Sequence, residues 1–475
     1  MDPLFRQFGI YSSVGQLYEP VDKDVVSYYK EAVDGQILEE GITEAGSMSS
    51  FIAAGSAYST HGVNTIPFFV YYSMFGMQRI GDLVWLAGDM RVKGFMVGGT
   101  AGRTTLNGEG LQHEDGHSHL LAYPVPNLMA YDPAFAYEIA VIIRDGIRRM
   151  YVEQEDIFYY LTIENETYSM PAMPKGVEEG IIKGLYKFRA SKTKRSKLKA
   201  QLFGSGAIMN RVIEAQKILE DQFNVSTDIW SITSFKNLHR EALDVDRWNR
   251  MHPGEDKKRS YLEETLKEEK GVFVVASDYV KTLPESIARW FPKTPISLGT
   301  DGFGRSESRE ALRDFFEVDA RFIVLGALSA LSEEGKIEKS VSSIKESVRL
   351  AEYGMGFLGV SFILFPRFDL SVFTNDVSII EMGVFGLRVA GALQFLDAVG
   401  FVLMFALTGA GNTVFPAIVD SVSTWVVVVF GTYFFAIHLG FGFIVPWLLF
   451  PLHMGFFAVA MGWKIYQGDW KEIEV

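Results

Sequence analysis

The stretch Leu198–Phe223 reads LKAQLFGSGAIMNRVIEAQKILEDQF, and it decides the fold class of this chain. Lys199–Phe203 predicts a strand, Gly204–Gly206 a tight turn, and Ala207–Phe223 a helix. A strand that turns directly into a helix is the repeating unit of α/β folds. The two glycines could also hold an anion at the helix N-terminus, although a strand-to-helix turn explains them as well.

The same alternation continues on both sides of this stretch. Short apolar runs bounded by Gly and Pro, with helices between them, favour parallel sheets buried on both faces. The predicted strands are Thr65–Tyr72, Gly94–Gly98, Asn127–Tyr131, Ile157–Ile163, Asp228–Thr233, Val272–Ala276 and Pro295–Gly299. The basic stretch Arg189–Lys199 predicts a linker. We therefore expect a lead-in at 1–30, one α/β domain at 31–190, and a second at 198–342 that ends in two helices.

The composition changes near residue 350 of the 475. Residues 351–475 carry 13 charged side chains in 125 positions, and the 43 residues between Asp420 and Lys464 carry none. A bilayer core needs about 20 apolar residues per helix. Residues 346–475 therefore predict an all-α transmembrane segment of about four helices, although a buried helical hairpin in a soluble domain is an alternative. The expected spans are 351–373, 379–407, 413–438 and 443–464.

Charge and cysteine content exclude several classes of protein and site. The net charge is −13, and an acidic chain without a Lys/Arg stripe is not expected to bind nucleic acid. The chain has no cysteine, which excludes disulfides and thiolate chemistry. The start MDPLFRQFGIYSSVG does not resemble a signal peptide. Cationic residues flank both ends of the apolar segment, so we expect the inner (cytoplasmic) membrane, with the α/β domains cytosolic, or a cytoplasmic chain if the helices do not insert.

Asn107–His119, NGEGLQHEDGHSH, is the densest cluster of titratable residues. Three readings are open from spacing alone. His113, His117 and His119 could converge on zinc or manganese. Glu109 and His113 could perform acid–base chemistry. The segment could also be a polar, hydrogen-bonded loop.

A family resemblance narrows these readings. Residues 1 to about 342 closely resemble the pyrimidine-binding and C-terminal domains of the homodimeric, bacterial-type pyruvate dehydrogenase decarboxylating component, a thiamine diphosphate enzyme of the transketolase superfamily. The stretches that carry the resemblance are FGIYSSVGQLYEPVD, IPFFVYYSMFGMQRIGDL, GGTAGRTTLNGEGLQHEDGHSH, AYDPAFAYE, MPAMPKGVEEGI and LGTDGFGRSESRE. The implied fold is two transketolase-like parallel-sheet domains.

The resemblance implies catalytic roles for individual residues. Glu44, in Glu40-Gly-Ile-Thr-Glu44, matches the acid that hydrogen-bonds N1′ of the cofactor's aminopyrimidine. Glu109 and His113 match polar groups that face the pyruvate-derived intermediate, and Tyr72 belongs to the same catalytic set. Without the resemblance, Glu44 reads more simply as an exposed acid on an amphipathic helix.

Further residues match cofactor contacts or take structural roles. Ile42 matches the apolar residue that holds the cofactor in its V shape, and Phe75 and Arg79 match the wall around the pyrimidine. His117 and His119 are expected to hold the loop by hydrogen bonds. Asp301–Arg309 (DGFGRSESR) is expected to shape a domain or subunit contact.

The diphosphate half of the cofactor site is missing from this sequence. The superfamily's Gly-Asp-Gly motif, which serves Mg2+ and the diphosphate, does not occur, because Gly81-Asp82 is followed by Leu and Gly88-Asp89 by Met. The implied cofactors are thiamine diphosphate and Mg2+, the latter held by a domain outside this chain. The implied partners are pyruvate, the lipoyl domain of the acetyltransferase core, and a second copy or a partner chain that carries the diphosphate domain.

Residues 346–475 resemble the last four helices of a multidrug and toxic compound extrusion (MATE-type) antiporter. The resemblance lies in LFPRFDLSVFTND, LRVAGALQFLDAVGFVLMFALTGAGNTVFPA and the closing GDWKEIEV. Asp397, inside a span, matches an acid that coordinates sodium ions or protons in some members and is a candidate site for a transported cation. It could equally be a hydrogen-bonded acid at a kink, with Arg388 as a partner. Membrane lipid is then a further partner.

The sequence thus predicts a fusion of two fragments. The expected activity is decarboxylation of pyruvate and reductive acetylation of lipoyl groups, incomplete without the diphosphate domain. The alternatives are a non-catalytic fusion product, a membrane-tethered subunit that needs a partner chain, and a fragment of a drug/sodium or drug/proton antiporter.

Overall fold

The computed structural model describes Phe5 and residues 7–21, 30–193, 196–336, 341–409, 412–442 and 444–467. It divides into two compact units, Met1–Leu331 and Ser332–Val475. The expectations for part of the lead-in (22–29), part of the linker (194–195), the junction (337–340), the turn at 410–411 and the closing segment (468–475) lie outside the described residues. The lead-in contains a two-residue parallel pair, β1 (Ile10–Tyr11) and β2 (Glu31–Ala32).

The first predicted α/β domain contains a parallel sheet. In the described chain its strand order is β3-β4-β6-β5, with every pair parallel. These strands are β3 (Phe68–Tyr72), β4 (Phe95–Gly99), β5 (Leu128–Tyr131) and β6 (Phe158–Thr162). The helices are α1 (Glu44–Thr60), α2 (Ser73–Asp89), α3 (Ser118–Ala122), α4 (Ala136–Ile147) and α5 (Glu178–Lys183). All five residues of β6, FYYLT, are buried, which is typical of a strand covered on both faces.

The second α/β domain is built on another sheet, whose described strands run β11-β10-β8-β9-β7. They are β7 (Leu185–Arg189), β8 (Lys199–Gly204), β9 (Ser226–Ile232), β10 (Val272–Ala276) and β11 (Ile296–Leu298). The helices are α6 (Met209–Phe223), α7 (Phe235–Met251), α8 (Tyr261–Leu266), α9 (Thr282–Glu285), α10 (Arg309–Phe315) and α11 (Ala320–Glu333). The strand, turn and helix expected at 199–223 are all present, with a 3-10 turn at Gly206–Ile208 before α6.

One strand of the second sheet, β7, lies on the first-domain side of the expected boundary at residue 190. β7 pairs antiparallel with β9, so it belongs to the second sheet although it precedes the linker. Lys187, in the middle of β7, donates to Asp228 at 2.9 Å and to Glu269 at 2.7 Å. These partners stabilise a charged side chain within the sheet, and they place the start of the second sheet before residue 190.

A buried lysine joins the two α/β domains. Lys236, at the start of α7, is 4% exposed. Its ammonium donates to the carbonyls of Ala122 at 2.8 Å, Val125 at 2.6 Å and Leu128 at 2.6 Å. The three carbonyls lie between the end of α3 and the start of β5, so a single cation of the second domain satisfies the backbone of the first.

The second unit is helical. Its described elements are α12 (Val341–Leu364), α13 (Pro366–Ser371), α14 (Val377–Gly409), α15 (Val414–Ser423), the π-helical segments Thr424–Phe430 and Tyr433–His438, and α16 (Ile444–Gln467). Within the described ranges, three helices are long and apolar enough to cross a membrane: Val377–Gln394, Val414–His438 and Ile444–Gln467. The expected first span, 351–373, is interrupted at Phe365–Pro366 and contains the shorter apolar helix Tyr353–Leu364.

Candidate active site

The N-terminus of α1 places a carboxylate beside a guanidinium. Thr43 caps the helix, its side chain accepting the Gly46 N–H at 3.3 Å, and Glu44 is the first helical residue. Arg79 on α2 donates to Glu44 Oε1 at 2.9 Å, and the Glu44 side chain is 20% exposed. The helix N-terminus and the Arg79 guanidinium both place positive charge beside the Glu44 side chain. Ile42, two residues earlier, is fully exposed.

The β3–α2 connection carries the aromatic part of the site. Tyr72 is the last residue of β3, and Phe75 and Arg79 follow one turn apart on α2. The Arg79 guanidinium carbon lies 4.2 Å from the Phe75 ring centroid, a cation–π contact that leaves Phe75 half-buried. Tyr72 is 54% exposed and meets Phe75 edge to face at 6.3 Å.

His113 comes from a third segment of the chain and contacts the aromatic side chains of this site. It ends the 3-10 helix Leu111–His113, and its ring contacts Phe75 at 5.2 Å and Tyr72 at 5.7 Å between centroids. Its Nδ1 lies 4.0 Å from a Glu109 carboxylate oxygen and, among the described residues, is buried without a hydrogen-bond partner. The acid, the aromatic wall and the acid–histidine pair predicted from sequence therefore form one contiguous surface.

The two other histidines of the segment take separate partners. His117 Nε2 lies 3.2 Å from Gln78 Oε1, whereas His119 Nε2 lies 2.9 Å from Thr162 Oγ1. Burial lowers the pKa of His119. Over the described part of the chain, no group of three or more His, Asp or Glu is arranged to hold a metal ion. These contacts are those of loop-holding side chains, and they do not favour the zinc or manganese reading of the three histidines.

The turn at Gly204–Gly206 does not suit an anion. Gly206 has φ +47°, and a Cβ placed there would lie 2.4 Å from a Glu164 carboxylate oxygen and 2.9 Å from an Asp132 carboxylate oxygen. Burial and the neighbouring Asp132 raise the pKa of Glu164 well above its usual range. Two acids therefore face this turn, which does not favour the anion-binding alternative.

Sequence reasoning missed Glu114, the residue after His113. Its side chain is buried and accepts the backbone N–H of Arg305 at 2.6 Å. Burial raises its pKa to about 7. The signal in the sequence that could have identified Glu114 is its position directly after His113 in the motif HEDG. The segment Asp301–Arg309, expected at a domain or subunit contact, is thus found at a contact between the α/β domains.

The candidate cation residue of the helical unit lies inside α14. Asp397 is buried, and within the described residues one of its carboxylate oxygens has no hydrogen-bond partner. Arg388 does not pair with it, because its Nε donates to the Ile363 carbonyl at 3.3 Å. The expected Arg388–Asp397 pair is therefore wrong.

Two known family models match parts of the first unit. Residues 1–171 match the family model of the pyruvate dehydrogenase E1 component middle domain. This part of the chain is similar to an E1 middle domain. Residues 184–319 match the transketolase-like C-terminal domain, so the second sheet, including β7, falls within one family domain.

Curated relatives extend this assignment. The pyruvate dehydrogenase E1 component of Pseudomonas aeruginosa is 58% identical over 356 residues, which is 75% of this chain and 40% of the relative. That of Escherichia coli K12 is 52% identical over 343 residues, or 72% and 38%. Both relatives are pyruvate dehydrogenase E1 components, which are oxidoreductases. The chain spans about two fifths of the length of the curated relatives it matches.

Solved structures agree with the fold. A transketolase mutant from Pichia stipitis matches with a TM-score of 0.50 at 14% identity, covering 69% of this chain and 43% of that one. At this identity the likeness supports the transketolase-like α/β fold alone.

Proposed function

We propose that the first unit is the pyrimidine-holding half of a thiamine diphosphate site for decarboxylation of pyruvate and reductive acetylation of lipoyl groups. The observation that carries this proposal is the contiguous surface formed by Glu44, Phe75, Tyr72, His113 and Glu109, supplied by three separate segments of an E1 middle domain. The substrate would be pyruvate, and the acceptor would be the lipoyl domain of an acetyltransferase core.

The donor set fits such a cofactor. An aromatic face, a partly exposed carboxylate and a buried unpartnered imidazole nitrogen suit a flat, nitrogen-containing ring and a small polar substrate. Thiamine diphosphate, when bound, supplies the electron sink for decarboxylation. Glu44 would form a hydrogen bond with N1′ of the pyrimidine through its carboxyl group, with Phe75 and Ile42 as apolar supports and Arg79 orienting the carboxylate.

His113 and Glu109 would handle the substrate. Glu109 Oε2 lies 4.0 Å from His113 Nδ1, so the two side chains border the same surface, and the imidazole would transfer a proton to or from the substrate. Tyr72, half-exposed beside His113, would border the substrate. Mg2+ and the diphosphate would be held by a domain outside this chain, on a partner chain.

Complementation tests this proposal. The purified chain is mixed with the part of the Pseudomonas aeruginosa relative that it does not span, and pyruvate-dependent reduction of an artificial acceptor is measured with thiamine diphosphate and Mg2+. We expect turnover only in the mixture, and a loss of at least about 100-fold for Glu44→Ala. Glu39→Ala, an exposed acid just before the site, is the matched control. Turnover by the chain alone would contradict the incomplete site, and a fully active Glu44→Ala mixture would contradict the role of Glu44.

We also propose that residues 346–475 form a membrane-inserted segment derived from a MATE-type antiporter, in the inner membrane with the α/β unit cytosolic. The supporting observation is the set of three long apolar helices over the described ranges. We expect a tether rather than transport, and Asp397 remains a candidate cation ligand.

Alkaline carbonate extraction of membranes tests insertion. The wild-type chain is expected in the pellet, and a chain carrying Val428→Lys and Val429→Lys in the supernatant to a larger extent. Release of the wild-type chain would favour a cytoplasmic protein. Insertion without activity in the complementation assay would favour the non-catalytic fusion product over the tethered subunit.

A further inference from the structure

The loop between β11 and α10 lies against the segment that carries Glu109 and His113. The Gly108 N–H donates to the Glu307 carbonyl at 3.0 Å. The Arg305 N–H donates to Glu114 Oε2 at 2.6 Å. The two segments are almost 200 residues apart in sequence, so the second α/β domain contributes directly to the position of a site built on the first.

A buried arginine anchors the base of this contact. Arg103 is 3% exposed, and its guanidinium donates to the Thr300 carbonyl at 2.7 Å and to the Gly302 carbonyl. Its own backbone N–H donates to the Asp278 carbonyl at 3.2 Å. A Cβ at Gly116 would lie 2.4 Å from the guanidinium carbon, so this glycine makes room for the arginine.

At the loop tip, the two backbones meet without space for a side chain. A Cβ at Gly304 would lie 2.5 Å from the Leu111 carbonyl oxygen and 2.6 Å from Glu114 Oε2. Leu111 begins the 3-10 helix that ends at His113. Because Leu111 and His113 belong to the same short helix, a displacement of the loop at Gly304 is expected to move the His113 ring as well.

We propose that Glu114 is a positioning residue, which fixes the His113 ring against Phe75 by binding the Arg305 N–H of the second domain. The catalytic consequence of this positioning rests on the function proposed above. The hydrogen bond between the Arg305 N–H and Glu114, and its effect on His113, do not depend on that function. Burial raises the pKa of Glu114 to about 7, whereas the Arg305 N–H and the Arg103 charge act to lower it. A glutamine at this position keeps an acceptor for the same N–H, and an alanine does not.

Hydrogen exchange and histidine NMR on the full chain test the proposal without any turnover assay. Glu114→Ala removes the acceptor, Glu114→Gln keeps it, and Gly304→Ala pushes the loop from the other side. Glu307→Ala is the matched control, because it removes an exposed side chain that accepts the neighbouring Ser308 N–H and keeps the backbone carbonyl that binds Gly108. The readouts are amide exchange over residues 106–113 and the pKa of the His113 ring, with His252 as a remote reference.

We expect exchange over 106–113 to rise roughly ten- to hundredfold in Glu114→Ala, the effect of leaving the Arg305 N–H without its acceptor. Gly304→Ala should act in the same direction, and both should shift the His113 pKa and leave His252 unchanged. Glu114→Gln and Glu307→Ala should resemble the wild type. Unchanged exchange in both Glu114→Ala and Gly304→Ala, or a glutamine variant that behaves like alanine, would overturn the proposal. Because no catalysis is measured, this failure is distinct from failure of the decarboxylase proposal.

Discussion

Replacing Lys236 by methionine should uncouple the two α/β domains. The substitution keeps an apolar chain of similar length and removes the ammonium, leaving the carbonyls of Ala122, Val125 and Leu128 without their donor. The backbone at the end of α3 and the start of β5 then lies in a dry contact with no compensating partner.

The expected loss follows from these three contacts. A hydrogen bond from a charged donor contributes about 1.5–3 kcal/mol, so three give an upper bound of roughly 9 kcal/mol. Burial lowers the pKa of Lys236 to about 7, so the ammonium carries a desolvation cost that the variant does not have. Each buried carbonyl left without a donor costs about 1–3 kcal/mol, and with the desolvation cost removed the expected net loss is about 3–5 kcal/mol.

Urea-dependent hydrogen exchange of the full chain measures this loss. Peptides that cover β5 and β6 report the free energy of unfolding of the first α/β domain. Lys217→Met, at an exposed lysine on α6, is the matched control and should change the free energy by less than about 0.5 kcal/mol. A Lys236→Met chain within about 1 kcal/mol of the wild type would refute the reasoning, because the carbonyls would then not need the cation.

Three further substitutions have separate expected outcomes. Burial raises the pKa of Glu114 to about 7, so the contribution of this residue to stability is present at low pH and is lost as the pH rises through that value. Glu114→Gln should therefore gain stability relative to the wild type by up to about 1.4 kcal/mol per pH unit between about pH 5 and 7. A pH-independent difference between the two proteins in urea titrations would contradict this prediction. Gly206→Ala places a methyl group against Glu164 at a positive φ and should cost about 1–3 kcal/mol in the same titration, whereas Gly254→Ala, where the added carbon meets nothing within 4 Å, should cost less. Arg79→Ala breaks a partly exposed ion pair and should change the free energy of unfolding by under about 1 kcal/mol, but it should lower turnover in the complementation assay; equal effects on stability and turnover would argue against a site role.

Local patterns predicted most of the strands. Val272–Ala276 is an unbroken apolar run, and its observed bounds match the prediction. β7 was not predicted, because LYKFR contains two cations and runs into a basic linker. Its Lys187 is accommodated by Asp228 and Glu269, which lie 41 and 82 residues away. Partners at such separations cannot be read from a local pattern.

The same limit applies to the site. Glu109 and His113 are four residues apart, and a motif of that length is visible in the sequence. The contact between Glu114 and Arg305 joins residues 191 positions apart, so the sequence indicated an acid beside His113 but not what it binds. The expected partner of Asp397 was wrong for a related reason, because Arg388 found a backbone carbonyl on a neighbouring helix.

The position of β7 has a practical consequence for dissecting this chain. A fragment that starts in the linker near residue 190 would lack the strand that pairs with β9, and β9 would present a row of free backbone donors and acceptors to other molecules. Such a fragment is expected to aggregate, whereas one that starts before Leu185 keeps its own edge. Limited proteolysis within the linker would leave β7 joined to the second domain by non-covalent contacts, the pairing with β9 among them, so a nicked chain should stay together until it is denatured.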